Sequence, residues 1–213
     1  MTAMKEIAYR DWYRYEHAEF FRRPALPYVS MTFTLEAGRL RRWARARGVS
    51  FYLSLVWASQ HVMDMREDFR WRIRGDRVAL IDHPIPSFSD MTPGSELFKI
   101  VNVPINGDDM EAYARRARAV ADAQTAYFPP PEEEARDDYT YFSSSPLAVF
   151  RSLTQPMDLT RDDCIPAIAW SRYYEENGRL LLPYAIQFNH RVVDGWHVAR
   201  FINELQAYLD ALE

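Results

Sequence analysis

Histidine is the side chain that most readily takes up a proton near neutral pH, so the chain's five histidines are weighed first. His17, His61 and His83 have no partner at metal-ligand spacing and read as surface or satisfied core residues. His190 differs in its setting. It follows the apolar run Leu180–Phe188 and is itself followed, four residues on, by Asp194 and then Gly195. A strand end opening into a helix start is a frequent seat for functional groups, and there His190 is a candidate general base in a His-x-x-x-Asp-Gly signature. The same spacing fits a plainer arrangement, in which Asp194 caps the last helix and His190 is an incidental polar residue. His190 and His197 without a third ligand make no metal site, and none is expected. The single cysteine, Cys164, forms no intrachain disulfide or thiolate cage and reads as a small buried core residue.

The elements that must position these groups follow from periodicity. Trp12–Arg22 reads as a short helix, and Tyr28–Leu35 alternates apolar with polar like a half-buried strand. Gly48 stops a basic helix over Arg39–Arg47, a charge run that reads as a solvated face, and Ser50 caps a second helix, Phe51–Met65. Phe69, Trp71 and Ile73 run through Arg74-Gly75-Asp76 into Val78 and Leu80 as a hairpin. Asp108–Thr125 is helical, while Tyr139–Phe142, Ala148–Leu153 and Ile165–Ser171 read as strands. Leu180–Phe188 is a strand covered on both faces, and Val198, Phe201, Ile202, Leu205, Leu209 and Leu212 mark the closing helix. Proline-rich His83–Pro93 and Phe128–Asp138 read as surface loops.

With 213 residues and 48% apolar side chains the chain can build a sizeable core, and one domain over 1–213 is expected. The alternation predicts an α/β (α+β) two-layer sandwich, a mixed sheet with helices packed on one face. Seven glycines argue against a glycine-rich phosphate loop, and a net charge of −4 gives no case for nucleic acid. No apolar run reaches membrane-spanning length, and Met1–Ile7 carries no secretory apolar region, so a cytoplasmic setting is expected.

The run Asn189-His190-Arg191-Val192-Val193-Asp194-Gly195-Trp196-His197-Val198-Ala199-Arg200-Phe201 resembles the C-terminal signature of the chloramphenicol acetyltransferases. Trp12-Tyr13-Arg14-Tyr15-Glu16-His17 is similar to that family's N-terminal helix, and Tyr141-Phe142-Ser143-Ser144-Ser145-Pro146 to the strand bearing its active-site serine. The resemblance covers nearly the whole chain. It implies a homotrimer with active sites at subunit interfaces, where acetyl-CoA meets a small hydroxyl-bearing acceptor. It further implies His190 as general base, Ser143 as donor to the oxyanion, and Asp194 paired with Arg14 to hold the loop that aims His190. Phe21, Leu26, Phe98 and Ala169 would line the acceptor pocket, and Arg172 and Tyr173 would lie near CoA.

Departures from the family pattern bear on the acceptor. Asn189 replaces a histidine, Ala169 a threonine, Phe21 a tyrosine and Leu147 a tryptophan. Acetyl transfer to chloramphenicol, hence antibiotic resistance, or to another small hydroxyl compound is therefore the leading expectation. The phrase Asn189–Gly195 also resembles the catalytic core of dihydrolipoamide acyltransferases, a second reading. A third is a non-catalytic relative that binds a small molecule.

Overall fold

The computed structural model describes residues 4–159 and 162–213. In chain order the elements are β1 (Met4–Ala8), α1 (Tyr15–Phe20), β2 (Tyr28–Glu36), α2 (Gly38–Arg47), α3 (Phe51–Asp64), β3 (Trp71–Arg74), β4 (Arg77–Ile81) and β5 (Ile85–Met91). They continue with β6 (Phe98–Asn102), α4 (Met110–Ala123), α5 (Pro131–Glu134), β7 (Tyr139–Ser145), β8 (Ala167–Ser171), β9 (Tyr174–Glu176), β10 (Arg179–Asn189) and α6 (Gly195–Asp210). The large sheet runs β2-β10-β8-β7-β5-β6, with β9 paired to β10, and β1-β4-β3 form a small one. β7 is parallel to β5 and to β8, whereas β10 is antiparallel to β2 and β8, so the sheet is mixed.

Local chemistry sets the helix ends. Gly48 takes φ +62°, the left-handed conformation that ends α2, and the Ser50 hydroxyl accepts from the Leu53 N–H to start α3. α3 is buried almost all round, because α2, α4, α6 and β5 pack against it. Alternation on β10 separates two faces. Leu182, Tyr184, Ile186 and Phe188 enter the core, where the Tyr184 hydroxyl bonds Ser59 of α3 at 2.9 Å and its ring lies 6.5 Å from Phe201 of α6. Each such large side chain contributes about 1.5–3 kcal/mol through burial. The opposite face is crossed by an irregular segment, in which Gln155 exchanges two hydrogen bonds with the Gln187 side chain.

Four sequence expectations are corrected. His83–Pro93 is not a loop: β5 occupies most of it, with Pro86 one residue ahead of the β5–β6 ladder, where no antiparallel donor is needed from it. Ala148–Leu153 is not a strand but part of the irregular crossing segment, its apolar residues largely exposed. Phe128–Asp138 contains one helical turn, α5, started by Pro131. The Trp12–Arg22 helix shrinks to α1, because Tyr9–Asp11 forms a separate 3-10 turn. The short strands β1, β6 and β9 carried too little alternation to be read from sequence.

Candidate active site

His190 is the first residue after β10, and its own N–H donates to the Pro27 carbonyl at 2.7 Å. The imidazole stacks on Phe21 at 3.8 Å with the planes 9° apart, and Phe188 meets it edge-on. Asp194 Oδ1 lies 3.2 Å from Nδ1 but off the line of a hydrogen bond. The carboxylate therefore acts on the ring by charge, favouring the tautomer that carries its proton on Nδ1. Nε2 has no bonded partner among the described residues and is the nitrogen left to accept a proton.

Asp194 is itself held by the buried Arg14 in a two-pronged pair, both contacts 2.9 Å. Burial pushes its carboxyl upward, but hydrogen bonds and charge from Arg14 outweigh this and keep it below the ordinary carboxylate value. Replacing Asp194 with asparagine strands a buried guanidinium. We expect a stability loss of about 2–3 kcal/mol in urea titration, toward the low side for a broken buried pair because the carboxylate is partly exposed. A depressed carboxyl stabilises the fold above its unfolded value of about 4, and that contribution is lost as pH falls through the folded one. The gap between wild type and Asp194→Asn should accordingly close in acid.

Three further groups complete the brace, of which sequence reading gave Arg191 no role, weighed His197 only as a metal ligand and marked Asn189 only as a departure from the family pattern. Arg191 is buried, donating to the Ala18 carbonyl, the Tyr9 hydroxyl and Asp162, which ties the His190 loop to the N-terminal segment. His197 Nδ1 accepts from the Asp194 N–H at 2.9 Å, while its Nε2 faces Asp68 at 3.5 Å. Desolvation holds the His197 imidazole below its ordinary value, which suits a neutral ring accepting at Nδ1. Asn189 accepts from the Arg191 N–H and donates to the Asp163 carbonyl, so the residue that departs from the family pattern has a structural task.

Ser143 lies elsewhere in the chain. It pairs across the sheet with Ala169, and Ala169 with Ala185. Ser143 is thus level with Ala185, two strands away from β10, and His190 is five residues further along. At about 4.8 Å per strand and 3.4 Å per residue, the two backbones are roughly 20 Å apart, beyond the reach of both side chains. Within one chain these residues fall into two separate clusters. His190, Asp194, Arg14 and Phe21 gather at one end, with the exposed Leu26 on the connection into β2. The other cluster lies on the sheet face opposite α3 and α6. There Ser143 Oγ is 3.1 Å from Ser89 Oγ, a partner not foreseen from sequence, and Ala169 supplies a small, buried, apolar neighbour. Either hydroxyl can donate in this contact, and in the arrangement where Ser89 donates, Ser143 keeps its own proton to give outward.

Phe98 is half-exposed on the edge strand β6, opposite Met91 and edge-on to Phe128. Arg172 is exposed just past β8, its N–H bonded to the Ala148 carbonyl. Tyr173 packs against Phe51 and lies under the Arg41 guanidinium at 5.2 Å, which brings one cation of the basic run to the same corner. Burial raises the Cys164 thiol to about 12, which removes it as a nucleophile. Among the described residues no group of three histidine, cysteine or acidic side chains is arranged for a metal, and no helix is long and apolar enough to cross a membrane.

This two-layer architecture, with a histidine at the end of a central strand, is that of the CoA-dependent acyltransferases. A profile of the chloramphenicol acetyltransferase family matches residues 2–206. Chloramphenicol acetyltransferase 3 of Escherichia coli is 27% identical over 200 residues, spanning 92% of each chain. A solved chloramphenicol acetyltransferase superposes with a TM-score of 0.85 at 26% identity, covering 97% of this chain and all of the other. A dihydrolipoamide acetyltransferase of Azotobacter vinelandii shares the fold, with a TM-score of 0.68 at 17% identity, over 92% of this chain and 86% of its own. The chain belongs to the chloramphenicol acetyltransferase family, and it is an acyltransferase.

Proposed function

We propose that the protein transfers acetyl from acetyl-CoA to the hydroxyl of a small molecule, with His190 of one subunit and Ser143 of a neighbour completing each site. The observation that carries this reading is the Arg14–Asp194 pair bracing His190, set in the family's own signature. His190 Nε2 removes the acceptor's proton as the oxygen attacks the thioester carbonyl. Negative charge collects on the carbonyl oxygen, where the Ser143 hydroxyl donates to it. The carbon–sulfur bond then breaks, and the imidazolium returns its proton to the departing CoA thiolate. No acyl-enzyme forms, in keeping with the buried Cys164 thiol.

This reading requires an assembly in which neighbouring chains complete each site, for which the family resemblance implies a homotrimer, and two features support such an assembly. The half-sites are too far apart to meet within one chain. Met91, Leu97, Phe98, Phe128 and Leu147 are all exposed on or beside the elements that carry the Ser143 half-site, an apolar concentration typical of an interface. Phe21, Leu26, Phe98 and Ala169 form the acceptor pocket, and Arg172 with Tyr173 and Arg41 the CoA end. Residues 1–213 make one domain, and a cytoplasmic location suits a CoA substrate. Chloramphenicol is one candidate acceptor, and acetylating it would confer resistance. The test is consumption of acetyl-CoA with formation of CoA, both separated chromatographically, across a panel of alcohols and amines that includes chloramphenicol, with the dithiol dihydrolipoamide beside them. Turnover with an alcohol supports the reading, and turnover with dihydrolipoamide alone overturns it.

A further inference from the structure

A second cleft, of about 800 Å³, opens at the C-terminal end of α3, beneath the loops around residues 83–85 and 104–108, and none of its lining residues belongs to the site above. Its walls are apolar at Trp57, Met65, Pro84, Ile85, Pro104 and Ile105, and the volume suits a small organic ligand. At one end stands the Asp64 carboxylate, mostly buried and on the last residue of α3. Carbonyls at a helix C-terminus already make that position negative, so an anion there is doubly disfavoured. The groups around it do little to offset the charge. Gln60 donates one neutral hydrogen bond, and His83 Nδ1 stands 3.9 Å away on a well-exposed ring. Arg70 hydrogen-bonds the Ile81 and Asp82 carbonyls and acts on Asp64 only through its charge, which burial outweighs, and His61 is stacked flat on Trp57 with burial favouring its neutral form. Asp108, the other carboxylate on the lining, is held by Arg116. Desolvation raises Asp64 to about 6, which agrees with a carboxylate short of a cation.

The geometry points to a binding site for a small cationic amine, its ammonium on Asp64 and an apolar, ring-sized body along the Trp57–Ile105 walls. An ammonium supplies the charge and the donors that the carboxylate lacks. The complementarity is specific in sign, since a carboxylate or phosphate ligand would meet the Asp64 carboxylate with no paired cation beside it. The inference is independent of the acetyl-transfer reading.

The test is calorimetric titration of the full chain at pH 7.5, without acetyl-CoA, using 2-phenylethylamine and its neutral counterpart 2-phenylethanol. The amine should bind saturably and at least about tenfold more tightly than the alcohol, and Asp64→Asn should remove that preference. Folding of the variant is not in doubt on this account. A raised carboxyl costs stability as pH rises from about 4 through 6, so Asp64→Asn should melt higher than wild type at pH 7.5 and equally near pH 4. Its acetyl transfer should be unchanged. Equal amine binding by wild type and Asp64→Asn overturns the proposal, as does no amine binding at all. Loss of amine binding in Phe21→Ala instead of Asp64→Asn would place the ligand in the acceptor pocket and overturn it likewise.

Discussion

Replacing His190 with alanine is expected to lower kcat by about 10²–10⁴, the range a positioned general base supplies. Because the imidazole acts as the proton moves, KM for acetyl-CoA should change far less than kcat. His190→Gln sharpens the test, since glutamine retains a planar polar group against Phe21 but accepts no proton at neutral pH. Both variants should lose turnover alike, while their melting temperatures stay within a few degrees of wild type. Undiminished thiol release in either would remove His190 from the mechanism.

Replacing Ser143 with alanine should lower kcat by about 10²–10³, the loss seen when one oxyanion donor is removed. The hydroxyl is only half-buried and its bond to Ser89 is a single contact, so the fold should tolerate the change. Ser89→Ala is the graded companion. It removes only the group that orients the donor, and a loss of about two- to tenfold is expected, the worth of one neutral hydrogen bond. If Ser89→Ala matched or exceeded Ser143→Ala, the roles assigned to the two hydroxyls would be reversed.

The sequence carried the strongly periodic elements well. Leu180–Phe188 and the stripe from Val198 to Leu209 became β10 and α6, and these two elements place His190 and Asp194. Those elements are legible because their alternation and their three- and four-residue steps reflect which face is buried. β5 was missed because Pro84 and Pro86 mask a strand whose edge at that point needs no donor. Ala148–Leu153 was misread because its apolar residues lie exposed or half-buried over the outer side of β2 and β10, not folded into the sheet. Within the site, the pairing of Arg14 with Asp194 came from family resemblance, since 180 residues separate them and no local pattern links them. Ser89, Asp68 and Arg191 are contacts of tertiary structure between residues of ordinary type, so nothing in the linear chain marked them.

The split between the half-sites yields the most direct test. His190→Ala and Ser143→Ala chains, purified apart under different affinity tags, are unfolded together, refolded, and assayed for thiol release with the best acceptor from the panel. Random mixing in any closed ring leaves about a quarter of the sites with both groups intact. Activity of the whole mixture should therefore return to roughly that fraction of wild type, all of it in assemblies that carry both tags, where a trimer has about one intact site in three. Doubly tagged assemblies no more active than the two parents would mean that the groups do not meet between chains.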